Sequence, residues 1–372
     1  MRPGAESTVA RTALDGYLGV RAGETVTVEA WSHALPWARR IVVEARRLGA
    51  EPILVVEDEE AFFGSLEELP RASAPASPAA LAPVGDAHVY LPGPESFLRL
   101  RGVPPSERGA LVERHDAAWR AAARRSRTRF ARLAVADATP VAAQQFGVDL
   151  AAWREELVGA SAIPPSRLAA RLGGWLARWR RARRVRIRHP NGTDLAVELR
   201  QGGLRVDDGR SAAGPPRYAT DIPTGRLIAR TRDGTADGVW EANRPLYDRF
   251  SESPVQLPGR FRFHRGRLAE FSFDRGGEAF AVAYAAGGRG RDALGAIVVG
   301  ANPRIVRAPE RSELADGTVS VLVGGTSSIG GRNRSPFSRI VSLGGADVEL
   351  DGRPWLVRGR AVRDGAAGAT PD

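Results

Sequence analysis

The chain has 372 residues, 43% of them hydrophobic and 26% charged, the balance of a soluble globular protein long enough for two domains. It has no cysteine, which excludes disulfides, thiolate catalysis, cysteine-bound zinc and iron–sulfur clusters. No lysine occurs either, so the 54 basic residues are all arginine, Schiff-base and Ser–Lys chemistry are excluded, and the formal charge is +11.

The first half alternates short apolar strands with helical stretches, as βαβ units do. The leading segment MRPGAESTVARTALDGYLGV has no apolar run of the signal-peptide kind, and nowhere do eighteen apolar residues run together. A cytoplasmic location without a membrane span is the expectation. Thr25–Ala30 reads as a strand, Pro36–Leu48 as a helix that Gly49 can stop, and Pro52–Glu57 as a second strand. Glu59–Leu69 reads as a helix, and Pro70–Pro83, rich in Pro, Ala and Ser, as a surface connection. His88–Leu91 and Leu133–Ala136 complete the strands, with helices at Pro105–Arg125, Leu150–Gly159 and Pro165–Arg183. Parallel strands covered by helices make an open α/β domain, placed at residues 1–184.

From Val185 onward the texture changes to strands, turns and glycine. Val185–Arg188 and Leu195–Leu199 flank an Asn191-Gly192 turn. Phe261–Phe263 and Leu268–Phe273 flank His264–Arg267, and Val348–Leu350 and Trp355–Val357 flank Asp351-Gly352. Residues 185–372 are therefore expected to form a β-rich α+β domain. The tail Gly365–Asp372 has no apolar anchor and is expected to fray.

Two arginine-rich runs, Arg120–Arg132 and Arg178–Arg188, raise the question of nucleic acid. Trp175 and Trp179 accompany the second run, but no helix-turn-helix, RNP-like or zinc-finger pattern is present. The preferred reading is of solvated faces in which arginine stems cover apolar surface.

Three segments carry a resemblance. In Gly317–Asp351, Gly317-Thr318, Gly324, Gly330-Gly331, Ser335 and Val348–Gly352 fall in register with the C-terminal motifs of the aminopeptidase T family, whose metallo-aminopeptidases carry two divalent metal ions such as zinc or cobalt. Asp221–Leu227 resembles the family's N-(I/L)-P-(T/S)-(G/E)-E-V, and Leu294–Pro303 its L-G-E-x-x-(I/V)-G-x-N-P. The resemblance implies an aminopeptidase T-type C-terminal domain, a homodimer, and metal ligands at six positions. Here those six are Arg226, Ala296, Ser320, Ser327, Ser338 and Ile340, where the family has Glu, Glu, His, Tyr, His and Asp.

Alanine and isoleucine offer no lone pair, neutral serine is a poor ligand, and guanidinium stays protonated. Two unit charges about 4 Å apart at an effective dielectric near 20 interact by about 4 kcal/mol, and a divalent ion doubles the repulsion. No metal cofactor, and no catalytic residue, is therefore expected. The sequence reads as a non-catalytic homologue that binds a peptide or small anion, or as a partner subunit of an active enzyme. The alternatives are a metal-dependent aminopeptidase using ligands elsewhere, or a ring-cleaving dioxygenase like the family's iron-dependent relatives, which needs the missing His-x-Asp pair.

Other chemistry is thin. The serines around the vacated positions have no nearby histidine and no G-x-S-x-G elbow. Asp194 reads as a turn-stabilising residue, His88 as structural and His264 as exposed. His33 stands at a strand end, where α/β proteins often bind ligands. The glycine pairs with Arg226, Arg332, Arg334 and Arg339 suggest an anion nest.

Overall fold

The computed structural model describes residues 4–68, 84–103, 128–210, 219–248 and 255–362. The expected loop Pro70–Pro83, the helix Pro105–Arg125 and the tail Gly365–Asp372 lie outside the described residues. The chain divides into two compact units, one of residues 1–169, 207–224 and 249–252, the other of residues 170–206, 225–248 and 253–372. The division expected at residue 184 thus differs from the observed one in two ways. The first unit ends earlier, and residues 207–224 return to it, which no local sequence pattern signals.

The first unit is built on strands β1 (Thr25–Trp31), β2 (Glu51–Glu57), β3 (Ala87–Leu91) and β4 (Arg129–Leu133). The described strands lie parallel in the order β2-β1-β3-β4, and a returning segment (Ala219–Ile222) joins β4 as a fifth parallel strand. The helices of this unit are α1 (Ala5–Arg11), α2 (Leu35–Arg47), α3 (Glu59–Glu68), α4 (Pro140–Phe146) and α5 (Leu150–Ser161). Apolar spacing explains α2, where Ala38, Ile41 and Ala45 are buried one turn apart. The fourth strand falls before the expected Leu133–Ala136. Residues Ala134–Asp137 form a 3-10 turn, buried on all four side chains, so their apolar character reflects burial and not pairing.

Helix α6 (Pro165–Arg181) leads into the second unit. Leu168, Leu172, Trp175 and Trp179 fall on one face, and Trp175 and Trp179 pack edge-on against Trp355 at 5.3 and 5.1 Å. The two tryptophans that accompany the arginine run are therefore core residues. Strands β5 (Arg184–Arg188), β6 (Asp194–Asp207), β7 (the returning Ala219–Ile222 of the first unit), β8 (Arg226–Thr231), β9 (Asp237–Glu241), β10 (Leu246–Tyr247), β11 (Val255–His264) and β12 (Arg267–Arg275) follow. After helix α7 (Glu278–Ala286) come β13 (Leu294–Gly300), β14 (Val319–Gly324), β15 (Ser338–Leu343), β16 (Asp347–Leu350), β17 (Arg353–Val357) and β18 (Arg360–Ala361).

All but β7 join one sheet, whose main path runs β15-β14-β13-β8-β6-β5-β16-β17-β18. The three hairpins expected from the sequence pair as β5–β6, β11–β12 and β16–β17. On β5 the valine and isoleucine are buried while Arg184, Arg186 and Arg188 point outward. Each outward arginine meets a carboxylate: Glu198 at 3.3 Å, Asp194 at 2.7 Å and Glu349 at 3.3 Å. Among the described residues no helix is long and apolar enough to cross a membrane.

Candidate functional site

Strand alternation decides which residues meet on the β8–β13–β14–β15 part of the sheet. Leu227, Ala229, Ile297, Val299, Val321, Val323, Val341 and Leu343 face the main core of the unit. The opposite face carries the residues between them. The ladders set Arg226 across from Gly300, Ile228 across from Val298, and Ala296 across from both Arg230 and Leu322. They also set Ser320 across from Val298 and Ser342, Leu322 across from Ile340, and Gly324 across from Ser338. Five of the six predicted positions, Arg226, Ala296, Ser320, Ser338 and Ile340, therefore share one face of four adjacent strands. The sixth, Ser327, lies on the exposed 3-10 turn Ser327–Ile329 that follows β14.

Gly324 ends β14 at φ +93°, where an added Cβ would overlap the Phe337 carbonyl. Its lack of a side chain lets the two strands close with Ser338 beside it, and the Ser338 hydroxyl donates to the Gly325 carbonyl at 3.0 Å.

The shared face has three parts. Its centre is an apolar cluster of Ile228, Ala296, Val298 and Leu322, each at most 2% exposed, with Ile329 and Ile340 packed against it. Beside it, Ser320 and Ser312 both donate to the Ser342 hydroxyl, at 2.9 and 3.2 Å. Ser320 is fully buried, and this chain of hydroxyls touches no imidazole, so it satisfies polar groups without forming an activated nucleophile. At the edge, the Arg226 guanidinium donates to Glu313 at 3.2 Å, both side chains being largely buried. The position at which the resemblance expects a metal-binding glutamate is here the cationic half of an ion pair.

These residues do not fit a two-metal centre. Alanine, isoleucine and leucine occupy the middle, where carboxylates and imidazoles would have to converge. Among the described residues no group of three or more His, Asp or Glu is arranged to hold a metal ion. Of the arginines expected in an anion nest, Arg226 is paired with Glu313, Arg339 lies 3.7 Å from Asp248 and donates to the Ser338 carbonyl, and Arg332 and Arg334 are exposed.

Glu313 was not legible in the sequence. It stands far from Arg226 along the chain, in the 3-10 turn Ser312–Leu314, and only the pairing of β8 with β13 brings the two together. Asp194, read as a turn residue, accepts two bonds from Arg186 at 2.8 and 2.7 Å, and that guanidinium holds its carboxyl below the usual carboxylate range. His264 is exposed beside Asp237.

No protein-family model and no curated protein sequence matches the chain. Its structure superposes on wild-type AmpT, aminopeptidase T, from Thermus thermophilus with a TM-score of 0.72 over 96% of this chain and 99% of that one, at 21% identity. The chain has the aminopeptidase T fold. The similarity extends to a 2,5-dihydroxypyridine dioxygenase from Pseudomonas putida KT2440, at TM-score 0.60 and 14% identity over 98% of this chain and 99% of that one. The aminopeptidase T fold therefore accounts for the open α/β unit and the large β-rich unit expected from the sequence.

Proposed function

We propose that this chain is a non-catalytic protein of the aminopeptidase T fold that acts by binding. Its ligand is a peptide or small acid, and its partner is a second copy of the chain or an active enzyme. One observation carries the reading. The face where five substituted positions meet is a packed patch of Ile228, Ala296, Val298 and Leu322, edged by satisfied hydroxyls and the Arg226–Glu313 pair. Amide hydrolysis on two metals requires donors that hold the ions while these activate water and polarise the carbonyl. An alanine and an isoleucine supply neither function, and Arg226 repels a cation. The same donors are missing for a dioxygenase built on this face.

Binding remains chemically open at the rim. Ser327 is exposed, Ser338 and Arg339 are half-buried, and Arg339 is shared between Asp248 and a main-chain carbonyl. A peptide carboxylate would compete with Glu313 and Asp248 for guanidinium groups whose planar fork suits it. A cytoplasmic location and a homodimer belong to the same reading.

The test is a titration of the full chain with di- and tripeptides, followed by assay of the same mixtures for hydrolysis with added cobalt or zinc. Peptide binding without turnover is expected. Turnover that depends on metal and tracks the purified protein would overturn the proposal.

A further inference from the structure

The first unit holds a second group of residues that the shared face does not involve. Its parallel strands run in the order β2-β1-β3-β4, so β1 is followed by its neighbour on one side, β2, and β3 by its neighbour on the other, β4. In open α/β sheets, ligands bind beyond the carboxyl ends of the strands at such a switch point. Here the chain leaves β1 as Trp31-Ser32-His33 and leaves β3 as Pro92-Gly93-Pro94-Glu95. The start of α3 supplies Glu59.

These residues are held in place by packing and hydrogen bonds. The Ser32 hydroxyl accepts from the Glu59 main-chain N–H at 3.3 Å, and the Glu59 carboxylate accepts from the Glu95 N–H at 3.1 Å. Phe62, one turn into α3, meets Trp31 edge-on at 5.0 Å. Gly93 passes so close to Trp31 that an added Cβ would overlap the indole.

The imidazole of His33 faces this group. Its side chain is 9% exposed, and Nδ1 has no hydrogen-bond partner. The closest charged atom to Nδ1 is Glu59 Oε2 at 4.0 Å, too far for a hydrogen bond. Buried ring nitrogens are normally paired, so an orphan beside a carboxylate marks a place for a donor. Glu59 is 15% exposed on its side chain, and no arginine of the described residues pairs with it or with Glu95. That is unusual in a chain with 54 arginines and 43 acidic residues, where the neighbouring Glu60 and Asp137 each have one, Arg99 and Arg132.

We propose that His33, Glu59 and Glu95 form a receptor for a protonated primary amine, the free amino group of a small amine or of a peptide. An ammonium carries three donors and no acceptor. It would donate to Nδ1 and to the Glu59 carboxylate, and its charge would answer the two unpaired carboxylates. Desolvation holds His33 below its ordinary pKa against the opposing influence of Glu59, Glu95, Asp137 and a backbone bond to Ala136. The ring is then neutral near pH 7, and the tautomer that carries its proton on Nε2 is the one that offers Nδ1 as an acceptor.

The full chain is titrated calorimetrically with butylamine, with dialanine and with N-acetyl-dialanine. Binding of both free amines assigns the site to the ammonium alone, binding of dialanine only assigns it to a peptide end, and either result with loss on acetylation supports the proposal. Glu59→Gln and Glu95→Gln are each expected to weaken binding by about tenfold or more, the scale of a charge-assisted bond. Folding of both variants is checked by circular dichroism, and Glu95→Gln serves if Glu59→Gln fails to fold. Equal binding of the acetylated peptide, unchanged affinity in Glu95→Gln, or no heat from any amine at 10 mM (about the weakest range such a pair would give) overturns it.

Discussion

Ala296→Glu restores the residue type that the aminopeptidase T resemblance expects at this position, and it tests whether a metal cavity survives. Ala296 is fully buried and packed with Ile228, Val298 and Leu322. Forcing a longer side chain into that space costs about 1–3 kcal/mol in displaced neighbours. Burying the carboxyl raises its pKa by about two units, which is about 3 kcal/mol at neutral pH. Arg230, directly across the ladder, can leave the Gly330 carbonyl it holds at 3.0 Å and return about 1 kcal/mol. The sum is a loss of about 3–5 kcal/mol. With a urea slope of about 2–3 kcal/mol/M, the midpoint of unfolding falls by about 1–2.5 M. Urea titration followed by tryptophan fluorescence reads this in the second unit through Trp175, Trp179, Trp240 and Trp355, with and without added zinc. A variant that keeps the parent midpoint, and gains stability from zinc, would refute the packing argument.

Four further outcomes follow from the same geometry. Leu322→Ala, at 2% exposure in the same cluster, is expected to lose about 2–5 kcal/mol by urea titration. Ser342→Ala removes the acceptor of two hydroxyls, one of them fully buried, and is expected to cost about 1–3 kcal/mol in the same assay. Asp194 is held below the usual carboxylate range by Arg186, so its contribution is present above the unfolded carboxylate pKa and is lost as pH falls through the folded one. Because the pair is half exposed, Asp194→Asn should remove at most about 1 kcal/mol of acid dependence, less at high salt, in unfolding curves at graded pH. His33, held low by desolvation, should titrate by NMR below an ordinary histidine, and stability should decline as pH falls below the unfolded histidine value.

Much of the architecture was legible because it rests on local periodicity. Helix α2 and helix α6 follow from apolar residues three and four apart, and the hairpins from Asn191-Gly192, His264–Arg267 and Asp351-Gly352 at their turns. The meeting of Arg226, Ala296, Ser320, Ser338 and Ile340 was legible only through the resemblance, since no spacing along the chain announces it. The partners that these residues take up were not legible. Glu313 answers Arg226 because β8 and β13 pair, and Ser342 collects two hydroxyls because β15 runs beside β14. Tertiary pairing also sent Ala219–Ile222 back to β4, which a boundary drawn at residue 184 could not anticipate. The sequence favoured solvated faces for the arginine run without showing what its residues meet. Burial of Trp175 and Trp179, and the carboxylates opposite Arg184, Arg186 and Arg188, show it to be a helix packed through its apolar side followed by an ion-paired strand face.

The central claim is that the β8–β13–β14–β15 face holds no divalent ion. Its most direct test is elemental analysis by inductively coupled plasma mass spectrometry on the full chain, dialysed first against zinc and cobalt and then against metal-free buffer. The account predicts far less than one ion per chain, unchanged in Arg226→Met. One or two tightly held ions per chain, lost when Ser320 or Ser338 is replaced by alanine, would contradict it.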